Sequence, residues 1–122
     1  YLTTDDDDTD WKYVFYNVNI SNDTWVDGWG VTFRDEDTDE DESVVRLRFA
    51  SQSNSTGYYT LIDTWDSEDY DGAGTVRYDD TQTFTNHQID RENNNYLIVA
   101  GLKADNPSSD PRLYSITLWF NG

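Results

Sequence analysis

The sequence predicts an all-β protein: an antiparallel two-sheet β-sandwich of about seven strands, either immunoglobulin-like or jelly-roll-like. Short runs rich in Val, Ile, Tyr, Phe and Trp recur along the chain, and clusters of Asp, Asn, Ser and Gly separate them. No segment shows the helical period of about 3.6 residues. The 122 residues, with 5 Trp, 9 Tyr and 5 Phe, suffice for one domain with an aromatic core.

Seven strands are spaced at intervals typical of a sandwich. They are predicted at residues 11–20, 29–34, 43–50, 57–64, 75–78 continuing toward 84, 95–102 and 112–120. Both prolines, Pro107 and Pro111, lie between the last two strands, where a missing N–H interrupts no strand ladder. We expect an acidic N-terminal leader at residues 1–10 and a single β-sandwich domain at residues 11–122.

The first and last predicted strands alternate, because successive side chains of a strand point to opposite faces. The first strand places four apolar residues on one face: Val14, Tyr16, Val18 and Ile20. The same alternation selects the residues of the last strand that are expected to close the core: Tyr114, Ile116, Leu118 and Phe120. Residues 96–100 are apolar on both faces, which predicts either a central strand or an outer face that something else covers.

The net charge of −17, from 25 acidic and 8 basic residues, excludes several classes of partner. Such a field repels the phosphates of nucleic acids and of anionic lipids. No apolar stretch approaches the roughly 20 residues that a membrane-spanning helix needs. We therefore expect neither nucleic-acid binding nor membrane insertion.

No catalytic apparatus is recognisable in the sequence. Cysteine is absent, which excludes thiol catalysis and zinc–thiolate sites. His87 is the sole histidine and is expected to be a surface-loop residue; no G-x-S-x-G nucleophile motif accompanies it. Carboxylates are so abundant that pairs at a spacing suited to glycoside hydrolysis are expected by chance, so such a pair does not indicate catalysis. We predict a protein that is not an enzyme.

Two acidic segments are candidates for binding Ca²⁺, which takes six to eight oxygen ligands. Residues 35–42 carry seven carboxylates, but the EF-hand pattern would require Gly at Glu40 and Glu at Arg46. Residues 66–71 form a second acidic loop beside Gly72. Solvated charge is the simpler interpretation of both segments, so Ca²⁺ is possible but not expected, and no metal site or other cofactor is predicted.

Two tryptophans and one asparagine are candidate contact or modification sites. Trp25 and Trp65 lie at loop margins, where a flat aromatic face can stack on a sugar ring, although tryptophans of a sandwich also fill its core. Asn54 begins an Asn-Ser-Thr sequon inside a polar turn, the position where a surface glycan is most easily accommodated.

The chain begins at Tyr1 and contains no Met, which is typical of a processed chain whose export signal has been removed. We therefore expect an extracellular protein, either secreted or held at the cell surface.

The alternating strand at residues 11–20 and the closing strand at residues 112–120 resemble the terminal strands of extracellular fibre subunits. Those families are immunoglobulin-like sandwiches that assemble by donor-strand complementation, in which a terminal strand of one subunit completes the sheet of the next. The resemblance implies a structural filament subunit, a homo-oligomer joined by strand donation. The sequence departs from those families because it lacks a glycine within the donor alternation and lacks a disulfide. An intact, self-complemented sandwich displayed on a larger assembly is therefore an alternative.

Two functions are consistent with these features. The first is a self-assembling filament or surface-fibre subunit that donates Val14, Tyr16, Val18 and Ile20 to a neighbour. The alternative is a secreted carbohydrate-binding module that uses exposed Trp and Tyr side chains.

Overall fold

The computed structural model describes residues 2–3, 11–34, 44–67, 76–81, 86–103 and 111–121. These residues form nine β-strands: β1 (Leu2–Thr3), β2 (Lys12–Val18), β3 (Trp25–Arg34), β4 (Val44–Ser53), β5 (Tyr59–Asp66), β6 (Val76–Thr81), β7 (His87–Gln88), β8 (Asn94–Lys103) and β9 (Arg112–Asn121). Within these ranges no helix is long and apolar enough to cross a bilayer.

The strands form two antiparallel sheets, which confirms the predicted β-sandwich. Sheet A has the order β1-β9-β3-β6, with the two-residue β7 also paired to β3. Sheet B has the order β2-β8-β4-β5. All seven strands longer than two residues correspond to the seven predicted from the sequence.

The strand pairing is nested, and this distinguishes between the two predicted sandwich types. With β7 left aside, the first strand pairs with the last, the second with the seventh, the third with the sixth and the fourth with the fifth. This pairing of eight strands over two sheets is that of a jelly roll. An immunoglobulin sandwich instead pairs its first two strands within one sheet.

The core lies between the two sheets and is made by alternate residues of each long strand. Sheet A contributes Trp29, Val31 and Phe33, and sheet B contributes Leu47 and Phe49, all of them fully buried. Strand β8 lies between β2 and β4, so the prediction that residues 96–100 form a central strand is confirmed.

The segment between β2 and β3 is shorter than the sequence predicted. β2 ends at Val18, and β3 begins at Trp25 rather than at residue 29. Asp23 has φ 69°, a left-handed conformation that Asp tolerates and that reverses the chain here. The early start of β3 reflects its pairing with Gln88 of β7 and Asn121 of β9, a tertiary contact that local patterning does not reveal.

Candidate functional site at the open side of the sandwich

Strand β1, at the edge of sheet A, covers only a small part of its neighbour β9 among the described residues. β9 has ten residues and pairs with β3 along most of its length. On its other side it pairs with β1, but only at Leu113 and Arg112. From 115 to 121, no strand among the described residues pairs with β9 on this side. Among the described residues, the first-strand position of the jelly roll is therefore filled by Leu2 and Thr3.

Sheet B ends in β2 at the same side of the sandwich. β2 pairs with β8 from Lys12 to Val18 and has no second neighbour among the described strands. Its inward residues are incompletely covered, since Val14 and Val18 are half-buried and Tyr16 is 40% exposed. Two sheet edges thus flank one open side.

An apolar groove of about 680 Å³ runs between these two edges. Tyr16 and Val18 of β2 line one wall together with Ile98 of β8, and Leu113 and Ile116 of β9 line the other. The groove lies between the two inner faces of the sandwich.

The predicted assembly strand lies in its own sandwich in this structure. Val14, Tyr16 and Val18 share the inward face, as the alternation predicted, and their strand is paired with β8 of the same chain. An exchanged strand would lie away from its own domain, so donation requires β2 to leave β8. Ile20 lies beyond the end of β2 and is buried in the core.

The predicted closing strand needs a correction, because a β-bulge shifts its alternation. Thr32 pairs with Ser115, whereas the next residue, Phe33, pairs with Leu113, which leaves Tyr114 as the extra residue. Leu113 is buried in the core in place of Tyr114, which is exposed.

Beyond the bulge, the remaining predicted residues are covered unequally. Ile116 and Leu118 pack against the core and are half-buried, as their inward positions require. Phe120 pairs with the buried Val26, yet it is 55% exposed because it lies near the end of the sheet. Two of the four predicted residues therefore contribute to the core.

The connection at residues 19–24 is anchored to the chain around Arg91. The Arg91 side chain donates to Asn19 Oδ1, and its backbone N–H donates to Asn22 Oδ1 at 2.9 Å. Ile89 exchanges two backbone hydrogen bonds of 2.8 Å with this segment. The point at which β2 joins the rest of the domain is thus held in place independently of the pairing between β2 and β8.

His87 lies in a strand and not in the surface loop that we predicted. Its Nε2 lies 3.0 Å from the hydroxyl of the buried Tyr96, and the backbone N–H of Asp90 donates to the same hydroxyl at 2.9 Å. Burial lowers the pKa of His87 and raises the pKa of Tyr96. Neutral His87 can then accept the Tyr96 proton in a hydrogen bond, so the network braces the end of β8.

The two tryptophans singled out as sugar contacts have different environments. Trp25 is 42% exposed on β3. Trp65 is buried, and its ring centroid lies 4.9 Å from that of Phe33. Its Nε1–H donates to Asp79 Oδ2 at 2.7 Å. Trp65 therefore presents no face to a ligand. Trp119, which the sequence analysis ranked below these two as a sugar contact, is 39% exposed on β9.

Asn54 lies in the exposed turn that follows β4, as expected for a sequon in a polar turn. Its amide Nδ2 donates to the carbonyl of Glu92 at 3.4 Å, a long and solvent-accessible hydrogen bond. The Asn54 side chain is exposed to solvent.

The acidic segments considered for Ca²⁺ lie mostly outside the described residues. The structure describes none of residues 35–42 and only residues 66 and 67 of the second segment. Among the residues that the structure describes, no three His, Asp or Glu side chains are grouped as metal ligands. Asp66 instead accepts a 2.7 Å hydrogen bond from Arg46 Nε.

Comparison of the chain with protein-family models, with curated proteins and with solved structures gives no match.

Proposed function

We propose that this chain is a non-enzymatic extracellular structural protein that assembles into filaments by exchanging its N-terminal strands between copies. The observation that carries the proposal is the peripheral position of β1 and β2 on the same open side. β1 pairs only with β9, and β2 pairs only with β8, among the described strands. The strands from β3 to β9 pair with one another without them, so removal of residues 1–18 would leave both sheets three strands wide or wider.

The connection at residues 19–24 can serve as the hinge about which β2 moves during strand exchange. Its hydrogen bonds to Ile89 and Arg91 hold the chain where β2 begins to diverge from β3. Strand exchange of this kind is a low-cost route to assembly, because the pairing that β2 gives up in its own domain forms again in the neighbouring copy. A head-to-tail exchange that does not close into a ring produces a filament.

The groove supplies apolar surface that a junction between copies can cover. Burying one Val or Leu side chain contributes about 1.5–3 kcal/mol, and association costs at least about 4 kcal/mol. Tyr16, Val18 and Ile116 are already partly covered, so completing their burial would contribute a fraction of this range per side chain. Assembly is therefore expected to depend on protein concentration.

An engineered disulfide tests the exchange directly, because the chain has no cysteine of its own. Phe15 of β2 and Val99 of β8 are Cα partners, so Phe15→Cys with Val99→Cys places two thiols in reach of each other. After oxidation of assembled protein, exchange predicts a ladder of covalently linked chains on a non-reducing denaturing gel.

The matched control keeps Val99→Cys and moves the second thiol to β4 as Arg48→Cys. Arg48 is also a Cα partner of Val99, but β4 and β8 stay together in the exchange. This control should run as single chains under all conditions. If the Phe15 pair also gives single chains only, and negative-stain images show dispersed particles, strand exchange is wrong.

A further inference from the structure

A β-bulge on the outer face of sheet A brings a carboxylate next to an exposed tryptophan. Val26 pairs with Phe120, whereas Gly28 pairs with Trp119, so Asp27 is the extra residue of β3. A bulge of this kind re-aims side chains and is frequent next to binding sites. Asp27 and Gly28 both lie opposite Trp119, and Gly28 adds no side chain beside the indole.

Two tryptophans share this face. Trp119 is 39% exposed and Trp25 is 42% exposed. Trp25 pairs with the position two residues beyond Trp119 on β9, so the two tryptophans lie on the same side of sheet A. The two indoles are diagonal neighbours, at a spacing of about 7–8 Å between backbone positions.

A hollow of about 360 Å³ lies at this place, lined by Asp27, Asn86, Trp119 and Phe120. Asp27 is half-buried and Asn86 is exposed. Neither side chain has a hydrogen-bond or ion-pair partner within the described part of the chain. A carboxylate that is partly withdrawn from water gains from a hydroxyl donor, and the amide can both donate and accept.

We propose that this hollow binds the pyranose rings of a neutral polysaccharide. The indole of Trp119 stacks on the apolar face of one sugar ring, while Asp27 and Asn86 hydrogen-bond its hydroxyl groups. Trp25 contacts an adjacent sugar unit. An anionic polysaccharide does not fit, because the net charge of −17 and the Asp27 carboxylate repel it.

The site is separate from the groove at the open side. Trp119 and Asp27 lie on the outer face of sheet A, whereas the groove lies between the inner faces of the two sheets. Polysaccharide binding therefore does not rest on strand exchange, and either proposal can fail alone.

The test is a titration of the full chain with cellohexaose, laminarihexaose and mannohexaose. Tryptophan fluorescence and calorimetry measure the binding of each probe. At least one of these neutral probes should bind saturably below about 10 mM, within the weak range typical of a small site. Trp119→Ala and Asp27→Ala should each weaken binding by about tenfold or more, and Trp25→Ala by a smaller factor.

Tyr59→Ala is the matched control, because Tyr59 is an exposed aromatic residue on sheet B. This variant should bind as the unmodified chain does. The proposal is overturned if none of the three probes binds, if Asp27→Ala and Trp119→Ala bind normally, or if Tyr59→Ala loses as much affinity. Asp27→Ala provides the test should Trp119→Ala fail to give the β-sheet circular dichroism of the parent.

Discussion

Trp29 donates its indole N–H to Asp63 Oδ2 at 2.8 Å, and this hydrogen bond crosses the interior from sheet A to sheet B. A second bond crosses in the opposite direction, from Trp65 of β5 to Asp79 of β6 at 2.7 Å. Both indoles are buried, so each carboxylate satisfies an N–H group that water cannot reach. Strand β5 is thereby tied to sheet A twice.

Removal of one of these carboxylates should destabilise the fold. Asp63→Ala leaves the buried N–H of Trp29 without this acceptor, and we expect the free energy of unfolding to fall by about 1–3 kcal/mol. Asp63→Asn keeps an oxygen acceptor and should cost less. Urea unfolding measures the difference, with the exposed Glu92→Ala as a control that removes one charge. Equal stability of Asp63→Ala and Glu92→Ala would contradict the prediction.

The burial of His87 should make stability depend on pH near neutrality. The unfolded chain has a His pKa near 6.5, and burial lowers the pKa of the folded state. The unfolded state therefore takes up the proton first as pH falls. The contribution of neutral His87 to the free energy of unfolding is complete above about pH 6.5 and is lost as pH falls through the folded pKa.

His87→Gln removes that titration while keeping a polar group near Tyr96. We expect the melting temperature of the variant to change less between about pH 7.5 and pH 5 than that of the unmodified chain. Parallel pH profiles for the two proteins would show that His87 does not contribute.

A charge placed in the groove should interfere with assembly. Ile116→Glu puts a carboxylate on the wall that a junction between copies would cover, and an unpaired buried charge is costly. Thr117→Glu adds the same charge to the outer face of the same strand. Sedimentation should show assembly suppressed in the first variant and retained in the second, provided that both keep the circular dichroism of the parent. Equal behaviour would place assembly elsewhere.

Gly101 should not tolerate a side chain, because two rings lie directly over it. A Cβ atom at this position would lie 3.0 Å from the ring of Tyr13 and 3.1 Å from that of Trp11. Arg46 also lies 4.4 Å from the centroid of the Trp11 ring, so displacement of that ring breaks a cation–π contact. Gly101→Ala should lower the free energy of unfolding by about 1–3 kcal/mol. Unchanged urea unfolding would show that the rings adjust without cost.

Removal of divalent cations should leave the fold unchanged. A cation that binds only the folded state raises stability by mass action, so chelation would lower the melting temperature if the acidic segments held Ca²⁺. We expect the same melting temperature with and without millimolar chelator. A decrease that added Ca²⁺ reverses would establish a calcium site.

Local alternation explains why so much of the sandwich could be predicted. Val45, Leu47 and Phe49 point inward because the side-chain period of a strand is two, and that period is visible directly in the sequence. The prediction failed at Tyr114, where one extra residue in β9 moves Leu113 into the core. A bulge is set by the pairing with β3, whose residues lie far away in sequence.

The candidate sites illustrate the same limit. Trp25 and Trp65 look alike as loop-margin tryptophans, but Trp65 is buried because β5 pairs it with the inward-facing Leu47. The sequence could not rank Trp119 above the other tryptophans, because only the bulge at Asp27 places it beside a carboxylate.

Most strands and their inward faces away from the β-bulges could be predicted, since they depend on composition and on the order of neighbouring residues. The jelly-roll pairing, the cover of two described residues of β9 by β1 and the groove beside Ile116 could not be predicted. Those features depend on which strands meet, and the free energy of that choice comes from contacts between residues distant in the chain.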